Sequence, residues 1–296
     1  MNVIDISNWQ NGIDLAAMFR ENPLDGVIIK ATEGTGYTNP NYKTWAEWLN
    51  SNGKLWGAYH FCYGADAVAE ARYFYSVTKH YVGKFIPVAD YEGDALKCGA
   101  KWLKAFLDEY YLLSKVKPLV YCSQSVTQAQ NMDEVARAGY GLWVAQYADY
   151  SPVYGFLDKP WHSGSVSPWN GYHMQQYTSC GVLKGWKAYL DLDKFYGTAD
   201  DWQALCGEVS GGSEPTPHSE EHKPVDPVVV ADVLANNYGT GEDRRKALEA
   251  AGYSYDAVQS KINELYAIAE KIAPVCNGNK AYLNSIIKIA RKMIKE

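Results

Sequence analysis

Phe85-Ile86-Pro87-Val88-Ala89-Asp90-Tyr91-Glu92 is an apolar run that ends in two carboxylates two residues apart. Side chains at i and i+2 of a strand point to one face, so Asp90 and Glu92 project together from the end of a buried strand. Two acids side by side at the mouth of a core are costly, because desolvation and mutual repulsion both push a proton onto one of them. One protonated and one ionised carboxyl is the combination that glycosidic-bond cleavage requires.

Apolar, β-rich runs recur on either side of this segment. Before it stand Val3–Ile6, Gly26–Ala31 and Leu55–Cys62; after it come Pro118–Cys122, Leu142–Tyr147, Tyr172–Tyr177 and Ala188–Asp193. Helical patterns separate the early ones, at Asp14–Glu21, Tyr42–Asn52, Ala65–Tyr81 and Ala100–Leu113. This alternation predicts a parallel sheet of βα units, and eight strands suit closure into a barrel. After Tyr147 the helical pattern fades into loops such as 151–170, and the last two strands read as a hairpin across 178–187. The expected fold is therefore α/β, an irregular TIM-like β/α barrel.

Val209 to Pro227 breaks the pattern with Ser-Gly-Gly-Ser, Glu-Pro-Thr-Pro-His and Lys-Pro-Val-Asp-Pro. Such a stretch reads as an extended linker stiffened by proline. It divides the chain into a catalytic-sized domain at 1–208, a linker at 209–227 and a small all-α domain, like a three-helix bundle, at 228–296. In the small domain Val228–Asn236 is short and apolar, and Thr240 opens a capping-box-like Thr-x-x-Asp whose helix stops at Gly252. Asp256–Ala273 places Val258, Ile262, Leu265 and Ile272 on one face. Lys280–Lys295 is amphipathic, with Leu283, Ile287, Ala290 and Ile294 against Lys288, Arg291, Lys292 and Lys295. Packing against neighbouring helices is its expected use, with an anionic membrane surface as the alternative.

Composition narrows the functional classes. A net charge of −6 argues against a nucleic-acid binder, which carries a basic face. Hydrophobic residues make up 47% of the chain, ample for a large core, yet no stretch approaches the length of a membrane span. Ten Trp and 24 Tyr suit stacking on sugar rings, although barrel rims use these residues too. The six cysteines are scattered without a C-x-x-C pair and read as reduced thiols. The histidines include no H-E-x-x-H, so neither a metal site nor a cofactor is expected. Val3-Ile4-Asp5-Ile6 already reads as a strand without a basic and apolar leader before it, which predicts synthesis without a signal peptide.

Active sites of βα barrels collect at the C-terminal ends of the strands. Asp5, Asp90, Glu92 and Asp191 are expected there, Asp5 and Asp191 meeting because first and last strands are neighbours in a closed barrel. Any one of them has a helix cap or a solvated strand end as its ordinary alternative. Four together point to a cluster.

The chain resembles the lysozyme-type muramidases of glycoside hydrolase family 25. The resemblance rests on Val3-Ile4-Asp5-Ile6-Ser7, Ile28-Ile29-Lys30-Ala31-Thr32-Glu33-Gly34, Gly57-Ala58-Tyr59-His60-Phe61, Val88-Ala89-Asp90-Tyr91-Glu92, Leu142-Trp143-Val144-Ala145-Gln146-Tyr147, Gln175-Gln176-Tyr177 and Leu190-Asp191-Leu192-Asp193, in the family's order. It implies cleavage of the β-1,4 bond between N-acetylmuramic acid and N-acetylglucosamine in bacterial peptidoglycan. It also implies that Glu92 protonates the leaving oxygen, that Asp90 is the neighbouring carboxylate, and that Asp5 and Asp191 complete the cluster. Whether Asp90 attacks the sugar or stabilises an intermediate built from the substrate's acetamido group stays open. Repulsion by the other three acids is expected to keep Glu92 protonated.

Further pocket candidates are Lys30, Tyr59, His60, Tyr121, Trp143, Gln146 and Gln176. Lys30 either anchors a muramyl carboxyl or pairs with one of the acids. Tyr59 and Trp143 either stack on sugar or line the barrel top. Met174-Gln175-Gln176-Tyr177 stands where the family often has Trp-Gln-Tyr, so a rim aromatic is expected to be missing.

Tyr238–Arg244, Leu248–Asp256 and Val258–Asn263 resemble the Cpl-seven cell-wall-binding repeat, over about 232–266. The resemblance implies recognition of a muropeptide, with Arg244 and Asp256 as exposed candidate contacts. A single copy lacks the avidity of tandem repeats, and the helix at 280–295 either replaces a partner copy or offers a self-association surface. The combined expectation is a phage endolysin of a Gram-positive host, made in the cytoplasm and released to the wall by a holin. The alternatives are an N-acetylglucosaminidase or another glycan hydrolase on the same barrel, and a non-catalytic wall-binding protein.

Overall fold

The computed structural model describes residues 1–207, 223, 225–239, 241–255, 257–259 and 261–262. Two compact units, Met1–His218 and Ser219–Glu296, divide the chain. Most of the expected linker, residues 209–222 and 224, lies outside the described residues, as do residues 208, 240, 256, 260 and everything beyond 262, including the helix expected at 280–295 and the candidate contact Asp256.

Among the described residues the first unit carries ten strands: β1 (Asn2–Ile6), β2 (Gly26–Glu33), β3 (Tyr37–Thr38), β4 (Leu55–Phe61), β5 (Ile86–Asp90), β6 (Leu119–Ser123), β7 (Leu142–Ala145), β8 (Val153–Tyr154), β9 (Met174–Val182) and β10 (Leu190–Phe195). Its α-helices are α1 (Leu15–Glu21), α2 (Tyr42–Ser51), α3 (Ala67–Thr78), α4 (Gly99–Ser114), α5 (Gln124–Ala129), α6 (Asp133–Arg137) and α7 (Ala199–Leu205). Eight strands close into a barrel. β1, β2, β4, β5, β6, β7 and β9 are successive parallel neighbours. β10 is antiparallel to both β9 and β1 and completes the ring. β3 and β8 pair on β2 and β9 outside it.

The parallel sheet expected of the βα units is therefore present round the ring from β1 through β9, and the sheet as a whole is mixed. The β9–β10 link spans only residues 183–189, whereas a parallel crossover needs a dozen residues or more. The hairpin expected of the last two strands forms and reverses the chain. Three further helices were not anticipated: α5 and α6, both short, and α7, which follows the last strand.

Alternation in each strand builds two cores. Inward-facing Val3, Ile28, Ile86, Val88, Leu119, Trp143, Met174 and Phe195 fill the barrel. Outward-facing Ile4, Ile6, Val27, Ile29, Ala58, Ala89, Val120 and Val144 pack beneath the helices with Leu49, Phe74 and Phe106. Gly57 faces inward, where a Cβ would lie 2.4 Å from Ile28 Cδ1 and 2.9 Å from the Ile86 carbonyl oxygen, so only glycine fits. Trp202 of α7 plugs the floor. Its Nε1 donates to the Trp56 carbonyl at 3.2 Å, and its ring packs 5.0 Å from that of Phe195. With the floor filled, open space is left at the other end of the barrel.

The second unit contains α8 (Pro227–Leu234) and α9 (Gly241–Ala250). Pro227, read from sequence as the last linker residue, is the first residue of α8, a position where its missing N–H costs nothing. Asp226 caps that helix, Oδ1 accepting from Val228 N at 2.8 Å and Val229 N at 2.9 Å. Val229, Val230, Val233, Leu248, Val258 and Ile262 are buried together. The stop expected at Gly252 is present, with φ of 83° and N–H donation to Glu249 O.

Candidate active site

The inward positions at the open end of the barrel converge on a cavity of about 330 Å³ lined by Asp5, Ser7, Trp9, Lys30, Tyr59, Phe61, Asp90, Glu92, Tyr121, Trp143, Tyr147, Gln176 and Asp191. Asp90 is the last residue of β5. Glu92 lies beyond it in extended backbone (φ −148°, ψ −174°), so strand alternation still aims it to the same side. Gly93, with φ of 58°, then turns the chain away. Asp5 comes from the end of β1, whereas Asp191 comes from the start of β10. The reversed strand brings its beginning to the end where its neighbours finish, and the register sets Asp5 opposite Asp191. The sequence placed Asp191 correctly at this end but for the wrong reason.

The four carboxyls differ in surroundings. Asp90 and Asp5 are buried, and Glu92 is exposed at the mouth. Burial, followed by repulsion from Glu92 and Asp5, holds Asp90 well above the usual carboxylate range, with Lys30 opposing. Burial and Asp191 raise Asp5, and a hydrogen bond from Gln176 Nε2 at 2.7 Å pulls it back. Asp191 is pushed up to about 6 by burial and then by Glu92. Glu92 is raised by desolvation against the pull of Lys30. Desolvation is the first cause in all four, and for Glu92, where repulsion by the other acids was expected, the accompanying charge effect is the opposing pull of Lys30.

Lys30 is buried and its Nζ pairs with Glu33 Oε2 at 2.7 Å, an acid outside the expected four. The ammonium also lies 4.7 Å from the centroid of the Phe61 ring. Gln176 is a hub: its Oε1 accepts from Tyr121 Oη at 2.7 Å and from Tyr147 Oη, while its amide donates to Asp5. Trp143 Nε1 donates to Asp193 Oδ1 at 3.0 Å, and the indole meets Tyr121 edge-on at 4.7 Å. Tyr59 is buried in the wall, its hydroxyl raised by burial and by Asp90.

Two sequence candidates do not reach the pocket. His60 follows inward-facing Tyr59 and therefore faces out, fully buried against Phe106 with ring centroids 5.0 Å apart. Its Nδ1 hydrogen-bonds Thr32 Oγ1 at 2.8 Å and its Nε2 hydrogen-bonds Glu70 Oε2 at 2.9 Å. Burial lowers its pKa and so favours the neutral ring, and an ionised Glu70 can only accept, which assigns the donor role to Nε2. Gln146 also faces out; it exchanges two hydrogen bonds with the Ser163 backbone at 2.9 and 3.0 Å and clamps the loop after β7.

The expected loss of a rim aromatic is likewise corrected. Met174 is buried in the barrel interior, and Gln175 faces out, donating to the Trp161 carbonyl at 2.7 Å. Neither lines the pocket. In the second unit Arg244 is half-buried rather than exposed. Its Nε donates to the Gly239 carbonyl at 3.0 Å and its Nη1 to Gln259 Oε1 at 3.4 Å.

Tyr147, Phe61, Trp9 and Ser7 were missed as pocket residues. Counting by two from Trp143 reaches Tyr147, and from Tyr59 reaches Phe61. Trp9, 84% exposed at the rim, offers a ring for stacking on a sugar face. Among the described residues no helix is long and apolar enough to cross a membrane.

Comparisons with known proteins agree with this geometry. Residues 4–186 match the model of the glycosyl hydrolases family 25, and residues 228–266 match that of the CW_7 repeat. The lysozyme of Streptococcus phage Cp-7 is 27% identical over 271 residues, covering 88% of this chain and 69% of that protein. The autolytic lysozyme of Clostridium acetobutylicum is 26% identical over 198 residues, covering 66% and 56% respectively. The crystal structure of the bacterial lysozyme from Streptomyces coelicolor superposes with a TM-score of 0.57 at 22% identity, over 70% of this chain and 96% of that one.

Proposed function

The chain belongs to glycosyl hydrolase family 25, and from that premise we propose that its reaction runs through Glu92 and Asp90. The protein is a peptidoglycan hydrolase of the lysozyme kind, a muramidase that cleaves the β-1,4 bond between N-acetylmuramic acid and N-acetylglucosamine. The observation that carries the residue assignment is the placement of the two carboxyls on one side of one strand end, the first buried and the second at the mouth.

Both carboxyls are raised, Asp90 by burial and then by Glu92 and Asp5, Glu92 by desolvation, and a proton taken up by the pair belongs to neither alone. A bound glycan sorts it. The glycosidic oxygen can only accept, so Glu92, facing it from the mouth, holds the proton and passes it to the leaving sugar. Positive charge developing at the anomeric carbon favours the ionised form of Asp90 in the wall beneath. Asp90 either bonds to that carbon or steadies an intermediate closed by the acetamido group; in both courses water finally supplies the new hydroxyl and returns a proton to Glu92. Trp9 and Tyr147 stack on or border the sugar rings, and Lys30, held by Glu33, trims the charge of the cluster.

The CW_7 repeat binds the enzyme to the cell wall. Arg244 spends two of its five donors within its own unit, so its guanidinium contacts a muropeptide through the rest, together with Asp256. Self-association through the C-terminal helices, and passage to the wall through a holin, complete the reading as an endolysin.

Digestion of purified walls tests the assignment. A new muramic acid reducing end and a fall of about a thousandfold in Glu92→Gln are expected. A glucosamine end would overturn the bond specificity, and unchanged clearing by Glu92→Gln would overturn the acid role.

A further inference from the structure

Asp193 takes no part in the steps above, yet it is among the most enclosed charges in the barrel. It faces inward from β10 and is completely buried. Trp143 Nε1 donates to its Oδ1 at 3.0 Å. Its Oδ2 is buried, and no amide or hydroxyl donor reaches it. The register of β10 on β1 pairs Asp191 with Asp5 and so sets Asp193, two residues further along the same inward face, diagonal to Asp5 on the adjacent strand, where the two carboxyls interact. Asp5 Oδ2 is itself fixed by Gln176 Nε2 at 2.7 Å.

Two ionised carboxylates have only acceptors to offer. A hydrogen bond between Asp5 and Asp193 therefore contains a proton. The titratable groups that feel the charge of Asp193 are Asp5 on β1, Asp191 on its own strand, Tyr147 after β7 and, from the outer side of β9, Tyr177. Trp143 on β7 and Gln176 on β9 are neutral, and no lysine or arginine is among these neighbours to offset a second negative charge. We propose that Asp193 is a positioning residue which keeps one proton permanently in its hydrogen bond to Asp5, and so holds Asp5 as a fixed acceptor in the pocket wall. Burial and the two neighbouring aspartates act in the same direction, keeping Asp193 well above the usual carboxylate range.

The pair then carries one negative charge rather than two. Asp5 is pinned at both ends, by the Asp193 proton and by the Gln176 amide, whose orientation Tyr121 and Tyr147 dictate. An amide at position 193 preserves this arrangement, because it accepts from Trp143 and donates to Asp5. A leucine of similar size does neither.

The first test reads the proton directly on the full chain labelled with 13C at aspartate carboxyls. The Asp193 resonance, assigned by its loss in Asp193→Asn, is expected to stay at the protonated position from about pH 4 to about pH 8. A titration with a midpoint below about 5 overturns the proposal. This arm needs no catalysis, so it stays decisive even if the muramidase reading, on which the second arm rests, were to fail. In the second arm, wall hydrolysis is followed against pH. Asp193→Asn is expected to keep the acid limb in place with kcat lowered no more than about threefold, and Asp193→Leu to lose about tenfold or more in kcat at little change in KM. If Asp193→Asn displaces the limb and lowers kcat as far as Asp193→Leu, the positioning role is overturned. Thermal melts accompany both variants. Should Asp193→Leu not fold, Trp143→Phe replaces it: a displaced acid limb supports the proposal, and an unmoved limb at wild-type kcat refutes it.

Discussion

Asp191 stands opposite Asp5 in the register of β10 on β1, so the first and last strands of the barrel present their acids to the same pocket. The antiparallel direction of β10 makes this possible. A parallel last strand would have brought its far end, near Phe195, to the pocket and carried Asp191 to the floor.

Asp191, held at about 6 by burial and Glu92, is mostly ionised at neutral pH. Like charges disfavour one another, so loss of the Asp191 charge is expected to ease ionisation of Glu92. Asp191→Asn is expected to move the alkaline limb of the kcat profile to lower pH by about 0.5 to 1 unit. Rates of wall hydrolysis across pH check this; an alkaline shift would contradict it.

Lys30 lowers both Asp90 and Glu92. Lys30→Met is expected to raise both, displacing both limbs of the profile to higher pH. It also strips Glu33 of its partner, at a cost of about 1–3 kcal/mol in denaturant unfolding. A profile that stays in place would show that the Lys30–Glu33 pair is structural alone.

The folded pKa of Asp90 lies above its unfolded value. Below the unfolded value the proton is bound in both states and the buried acid is tolerated. As pH rises, the folded state retains a proton that the unfolded state has released, and stability falls. Asp90→Asn removes this loss. At pH 7 it is expected to raise Tm by about 2–6 °C while abolishing hydrolysis, as differential scanning calorimetry will show.

His60 lies outside the pocket, in a buried pair with Glu70. Burial alone would raise Glu70, but hydrogen bonds from His60, Tyr63 N and Ala65 N outweigh it and hold it low. His60→Phe leaves that carboxylate short of a donor and is expected to cost about 2–4 kcal/mol. Where the variant is folded, KM for wall hydrolysis should stay unchanged. The lowered His60 pKa adds a pH signature: its contribution is present above about 6.5 and is lost as pH falls toward the folded value. Melts of the parent chain below pH 6.5 should lose a component that His60→Phe lacks.

Alternation made Asp90 and Glu92 legible from sequence, and the same rule separates Tyr59 from His60 and Gln146 from Tyr147. Motif matching blurred it there, since adjacent residues of a motif seem equal when strand parity is not applied to each. The direction of β10 was legible too, because a seven-residue link between strands forbids a crossover and reads as a hairpin. Trp202 and Asp193 were not. Their roles depend on which chain ends meet at the floor and on which carboxyl oxygens touch, and neither leaves a periodic trace. Gln175 shows the reverse: a departure from a motif that seemed to alter the pocket faces away from it.

The strand that closes the barrel is also the last to be made, and the helix that plugs its floor follows it. Until Asp191 has joined Asp5 and Trp202 has seated on Trp56, a growing chain has no assembled acid cluster. Fragments that end before β10 are therefore expected to lack hydrolytic activity, which arrives only with the finished barrel. A chain cut before Leu190 is expected to leave purified walls intact.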